Sequence, residues 1–97
     1  MFAEIIKKRR TELQLPQRIV AAAMEVDTVF YSRMEGGLVL PTRSKVEPLA
    51  ECLDLKKDEL AELWLADKFN AFAATETVDV QKKALLHIAQ QYGKQRR

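Results

Sequence analysis

An all-α fold is predicted for this 97-residue chain by three features. Apolar residues recur at helical spacing along nearly its whole length. Glycine and proline, which punctuate irregular structure, number three each. No stretch alternates apolar and polar residues for long, and no Asn-Gly or Asp-Gly hairpin turn occurs. With 47% hydrophobic and 31% charged residues, the composition is that of a folded domain. A chain this short buries only about two thirds of its unfolded surface. That argues against a large catalytic cleft and in favour of self-association.

Each element has its own warrant. Phe2, Ile5, Ile6, Arg9 and Leu13 share a stripe, which predicts a first helix over 2–13. Gln14, Leu15 and Pro16 interrupt it. Pro16 suits the start of a second helix, 17–24, where a missing N–H costs nothing. Glu25, Val26 and Asp27 read as a turn, with Asp27 as N-cap of a third helix over 28–35, which Gly36 and Gly37 close. After a loop, a fourth helix over 43–53 sets Val46, Leu49, Ala50 and Leu53 on one face. Pro48 within it implies a later start or a kink. A fifth helix over 58–68 carries Leu60, Leu63, Trp64 and Leu65. The small, polar stretch 70–77 reads as a linker. A sixth helix, 78–92, spaces Val78, Leu85, Ile88, Ala89 and Tyr92 along one side, and Lys94 to Arg97 read as a frayed basic tail. The chain thus divides into a domain over 1–69 and a linker with helical extension over 70–97.

Several function classes are disfavoured. The net charge of +2 excludes a histone-like basic protein but not a local basic face. One cysteine, Cys52, permits no internal disulfide and fits a reducing compartment. It reads as a small buried side chain. No apolar run approaches the ~20 residues that span a bilayer, and the amino end lacks a signal-peptide pattern. A cytoplasmic, nucleoid-associated protein without membrane contact is expected. His87 has no companion at metal-ligand spacing, and no phosphate-cradling loop or paired carboxylates occur. Neither an enzyme, a cofactor nor a metal is expected.

The informative stretch is Gln17 to Met34. Val20, Met24, Val26, Tyr31 and Met34 form the apolar set at which two short helices joined by a tight turn would cross. Ala21 supplies the small residue that their close approach needs. A helix-turn-helix that reads DNA requires this arrangement. Further residues extend the match: Arg10 in the first helix, Leu15-Pro16-Gln17 opening the second, Ser32 to Glu35 followed by Gly37, then Pro41, Val46, Leu49, Ala50, Leu53 and Leu60. Over roughly residues 2–65 the sequence resembles the five-helix DNA-binding domain of lambdoid phage repressors, Cro proteins and the wider XRE regulators.

That resemblance implies roles. Gln17 and Arg18 would meet phosphate at the start of the second helix. Thr28, Val29, Ser32 and Arg33 would line the helix that enters the major groove, with Arg33 clasping guanine and Thr28 and Val29 touching thymine methyls. Arg43 and Lys45 would reach the DNA backbone. Arg10 and Glu35 would form an internal ion pair joining the first helix to the third. The sequence departs from the family at Glu25, where a glycine usually takes a left-handed turn, and at Pro16, which replaces a Thr or Ser cap. Leu38-Val39-Leu40 is apolar where relatives carry phosphate-binding residues, which suggests contact with protein or a second copy. Phe30 is an aromatic candidate on the reading helix, favoured as a packing residue.

The expected function is a sequence-specific transcriptional regulator, a bacterial or phage repressor or autoregulator. It would bind a palindromic operator on double-stranded DNA as a homodimer, through a contact built by the fifth helix and the 78–92 segment. Two alternatives stand beside it. One is an antitoxin that autoregulates its operon and binds a toxin protein. The other is a protein-interaction module that keeps the fold without reading DNA.

Overall fold

The computed structural model describes residues 1–95 of the chain. Arg96 and Arg97 of the basic tail lie outside the described residues. All regular structure among those described is helical: α1 (Phe2–Glu12), α2 (Gln17–Met24), α3 (Thr28–Glu35), α4 (Val46–Leu53), α5 (Lys57–Phe72) and α6 (Val78–Gln95), with one 3₁₀ turn over Arg43–Lys45.

Helical spacing gathers one apolar cluster. α1 gives Phe2 and Ile6, α2 gives Val20, Ala21 and Met24, and α3 gives Tyr31 and Met34. Val46, Leu49, Ala50 and Leu53 come from α4, and Leu60 from α5. α2 packs against α3 and α4, α4 against α5, and α1 touches α3, α4 and α5. Each large side chain withdrawn from water stabilises the fold by roughly 1.5–3 kcal/mol. Ala21 sits on the buried face of α2, where a longer side chain would force the helices apart.

Four helices end in the same way. After α1, α2, α3 and α4 the chain turns left-handed at Gln14 (φ 57°), Glu25 (φ 59°), Gly37 (φ 77°) and Asp54 (φ 54°). The next residue then donates its N–H back five positions: Leu15 to Arg10, Val26 to Ala21, Leu38 to Arg33 and Leu55 to Ala50, at 2.8–3.1 Å. This closes the helix's last carbonyls, and the residue after the turn is apolar each time. Leu15, Val26 and Leu55 pack against the core, whereas Leu38 is 75% exposed.

Three boundaries differ from the sequence expectation by more than one residue. Pro48 neither kinks nor breaks α4, because the helix starts at Val46 and Pro48 falls in its first turn; the residues before it form the 3₁₀ turn. α5 runs on to Phe72, because Asn70-Ala71-Phe72 contains no residue that stops a helix. The segment read as a linker from residue 70 is therefore helical at its start. α6 extends to Gln95.

α6 folds back on the end of α5. Gln81 Nε2 donates to the carbonyls of Ala73 and Glu76, both at 2.9 Å, and locks the elbow between the two helices. Thr77 Oγ1 caps α6 by accepting from Val80 N–H at 3.2 Å. The elbow projects from the rest of the molecule. The radius of gyration, 15.5 Å, exceeds the roughly 12.5 Å of a compact chain this long.

Glu25 holds a backbone conformation that costs an L-residue about 1–2 kcal/mol, and a glycine there is free of that strain. Glu25→Gly is expected to raise stability by roughly 1 kcal/mol, seen in urea unfolding as a higher midpoint at unchanged slope. A lower midpoint would show that the Glu25 side chain contributes more than its backbone costs.

Candidate nucleic-acid interface

The interface is built outward from one part-buried polar knot. Arg10 of α1 presents two guanidinium nitrogens to the two oxygens of Glu35, the last residue of α3, with Nη2 to Oε1 at 3.0 Å. Its remaining nitrogen, Nη1, donates to the Leu15 carbonyl at 2.8 Å. Gln17 Nε2, at the start of α2, adds a bond of 3.0 Å to the same Glu35 oxygen. The side chains of Arg10 and Glu35 are only 16% and 4% exposed. The knot therefore clamps α1, the following turn, α2 and the end of α3 to one another.

Burial alone would push the Glu35 carboxyl up, but the hydrogen bonds from Arg10 and Gln17 outweigh it and hold it below its ordinary value. The Arg10 guanidinium is pushed up by the bond to Glu35. The Tyr31 hydroxyl lies buried beside the pair without a partner of hydrogen-bonding geometry. Burial drives its phenol far above the usual range, and the Glu35 carboxylate adds to this.

α3 leaves this clamp with one free face. Tyr31, Met34 and Glu35 point inward, while Thr28, Val29, Ser32 and Arg33 fall on the opposite side and are all exposed. Asp27 fixes the helix start by accepting from Phe30 N–H at 2.7 Å. Phe30 itself is half-buried against the core, so it leaves the exposed face to smaller side chains and to Arg33.

The other candidates are placed as follows. Arg18 and Arg43 are exposed, and Lys45 is half-buried on the 3₁₀ turn. Among the described residues no carboxylate lies within ion-pair distance of Arg18, Arg33, Arg43 or Lys45, whereas Arg10, Lys56, Lys57 and Lys83 each have one and Arg9 has two. Gln17 is half-buried, and part of its amide is committed to Glu35. What it offers outward is its backbone N–H and the remainder of that amide. Of Leu38-Val39-Leu40, only Leu38 is exposed; the other two pack against the core. Trp64 Nε1 donates to the Pro41 carbonyl at 2.8 Å and anchors the loop that precedes Arg43.

Sequence reasoning missed Arg9. Lys7-Lys8-Arg9-Arg10 is a run of charge of the kind that usually makes a solvated helix face, and within it the family match singles out Arg10 alone. Arg9 Nε donates to the Leu53 carbonyl at 2.9 Å and tethers α1 to the end of α4. The available signal was its place on the stripe with Phe2 and Ile6. Cys52 is half-buried rather than buried, and burial pushes its thiol up, away from a reactive thiolate. Among the described residues no group of three or more His, Cys, Asp or Glu side chains gathers as metal ligands do. None of the described helices is long and apolar enough to cross a membrane.

A family model described as a helix-turn-helix domain matches residues 2–63, from α1 into the first half of α5. The chain belongs to the helix-turn-helix domain family, whose members are typically DNA-binding regulators. No curated protein and no solved structure matches the chain significantly.

Removing one member of a desolvated ion pair strands the other. Glu35→Ala is expected to cost about 3 kcal/mol in chemical denaturation, and Arg10→Met with Glu35→Leu far less. The depressed Glu35 carboxyl also sets a pH dependence. Its stabilisation is complete above the ordinary value of 4.5 and fades as pH falls through the lower value of the folded state. Glu35→Ala should accordingly flatten the loss of stability in acid. An equally steep loss in wild type and variant would assign it to other carboxylates.

Proposed function

We propose that the protein is a sequence-specific DNA-binding transcriptional regulator, a repressor or autoregulator, that binds a two-fold operator as a homodimer. The observation that carries this reading is the free face of α3. It is exposed, lacks carboxylates, ends in an unpaired arginine, and belongs to a chain of the helix-turn-helix family. In the proposed complex α3 lies in the major groove. Arg33 donates two hydrogen bonds to guanine, and Thr28 and Val29 meet thymine methyls. Arg18, Arg43, Lys45 and the outward N–H groups at the start of α2 hold phosphates and set the register.

In this reading residues 1–69 carry the DNA-reading domain, and the extension over 70–97 assembles the dimer together with the end of α5. Two α3 helices would then enter successive major grooves about 34 Å apart. A net charge of only +2 gives weak non-specific attraction, which leaves more of the discrimination to base contacts and shape.

A gel shift on the gene's own upstream region, repeated across salt concentrations, tests the reading. A sequence-specific shift is expected. Arg33→Ala should lose roughly 5- to 150-fold of the specific affinity while sparing non-specific binding. Arg43→Ala and Lys45→Ala should weaken all sequences alike, each lowering the log–log salt slope by about 1. No specific shift at low salt on any promoter fragment would sink the proposal.

A further inference from the structure

The elbow made by the end of α5 and α6 carries most of the large apolar side chains that the fold leaves exposed among the described residues. On α5, Leu65, Phe69 and Phe72 lie at i, i+4 and i+7, all exposed, with Phe72 at 88%. On α6, Val78, Leu85, Ile88 and Tyr92 are likewise exposed. With Gln81 they occupy the alternating three- and four-residue spacing of a coiled-coil seam. The two helices frame a mainly apolar cleft of about 520 Å³ lined by Phe69, Phe72, Val80, Leu85 and Ile88, with Asn70, Thr75 and Glu76 from the turn between them. Gln81 turns its amide onto the carbonyls of Ala73 and Glu76. The seam's one amide thus ties α6 to the turn that joins it to α5.

The area points to a partner. A compact monomer of 11.1 kDa exposes about 5,700 Å²; this chain exposes 7113 Å². The excess, roughly 1,400 Å², is more than the ~800 Å² that each partner of a standard interface covers. The charge pattern says which partner. No Lys, Arg, Asp or Glu occupies a seam position, and Glu76 is the one charged residue lining the cleft, so along the seam itself a copy related by a two-fold axis meets no like charge. Most of the elbow also lies beyond residues 2–63, the part shared with the family.

We propose that the α5–α6 elbow is the two-fold interface of a homodimer, the seam of each chain docking on the same seam of a second copy. The inference deepens the homodimer of the proposed function and rests on it for its biological purpose, but it is tested without DNA.

Light scattering coupled to size-exclusion chromatography, on the full chain at tens of micromolar, should give twice the 11.1 kDa chain mass. Leu85→Glu with Ile88→Glu should give the single-chain mass, with the wild-type helical circular dichroism. Phe72→Glu is the second variant, at a side chain so exposed that the monomer fold does not need it, and it too should dissociate the dimer. A wild type of single-chain mass overturns the proposal, including one that gains mass only with a different protein. So does a dimer that survives both variants, or one that dissociates only with Leu38→Glu, which would move the contact to the 38–40 loop. A dimer broken by the elbow variants in a protein that never shifts DNA upholds the interface and removes the regulator reading.

Discussion

The fork between Arg10 and Glu35 fixes the orientation of α3, and the interface inherits its geometry from it. α3 is eight residues long and fully buries only Tyr31 and Met34. Two apolar side chains set its depth but leave rotation about its axis loosely held. The planar guanidinium, bonded to both carboxylate oxygens, fixes that rotation from the far end. The net energetic gain of such a pair over an apolar one is small or negative, because both groups give up hydration. Its use is directional: the fork admits one arrangement of α1 against α3, and Gln17 extends the same constraint to the start of α2.

Around this fork the fold is made by repetition. Four helices stop with a left-handed residue followed by an apolar one, and Leu15, Val26 and Leu55 then serve the core. Each stop turns the chain within a few residues, which keeps the connections from α1 to α2, α2 to α3 and α4 to α5 short. Only one of the four left-handed positions is glycine, Gly37. The other three carry backbone strain that the core must offset.

Much of this was legible in the residues. The start of α2, the start of α3 and the end of α3 follow from Pro16, Asp27, Gly36 and Gly37 because those residues act through local backbone geometry. The end of α5 was not legible: Asn70-Ala71-Phe72 neither favours nor stops a helix strongly, and the outcome depends on what α5 already packs against. Gln17 shows a different limit. A glutamine at a helix start reads the same whether its amide faces solvent, phosphate or a carboxylate, and only the fold brings Glu35 within 3.0 Å of it. The exposed face of α3 was legible as a helical stripe, whereas the half-burial of Lys45 and Phe30 depended on how neighbouring elements close over them.

The anchoring of the 38–42 loop has an optical consequence. Trp64 is the chain's single tryptophan. Its indole N–H is bonded to Pro41, two residues before Arg43, and the Lys68 ammonium sits 5.4 Å from the ring centre. The fluorophore is thus wired to the segment that carries Arg43 and Lys45 while standing on α5, behind it. Its emission reports the polarity and hydrogen bonding of that one junction, against a background of two tyrosines. A nucleic acid that pulls the loop changes the signal without any label, and one that docks on a rigid loop leaves it constant. The protein therefore carries its own gauge of whether this loop is preformed for its ligand or adjusts to it.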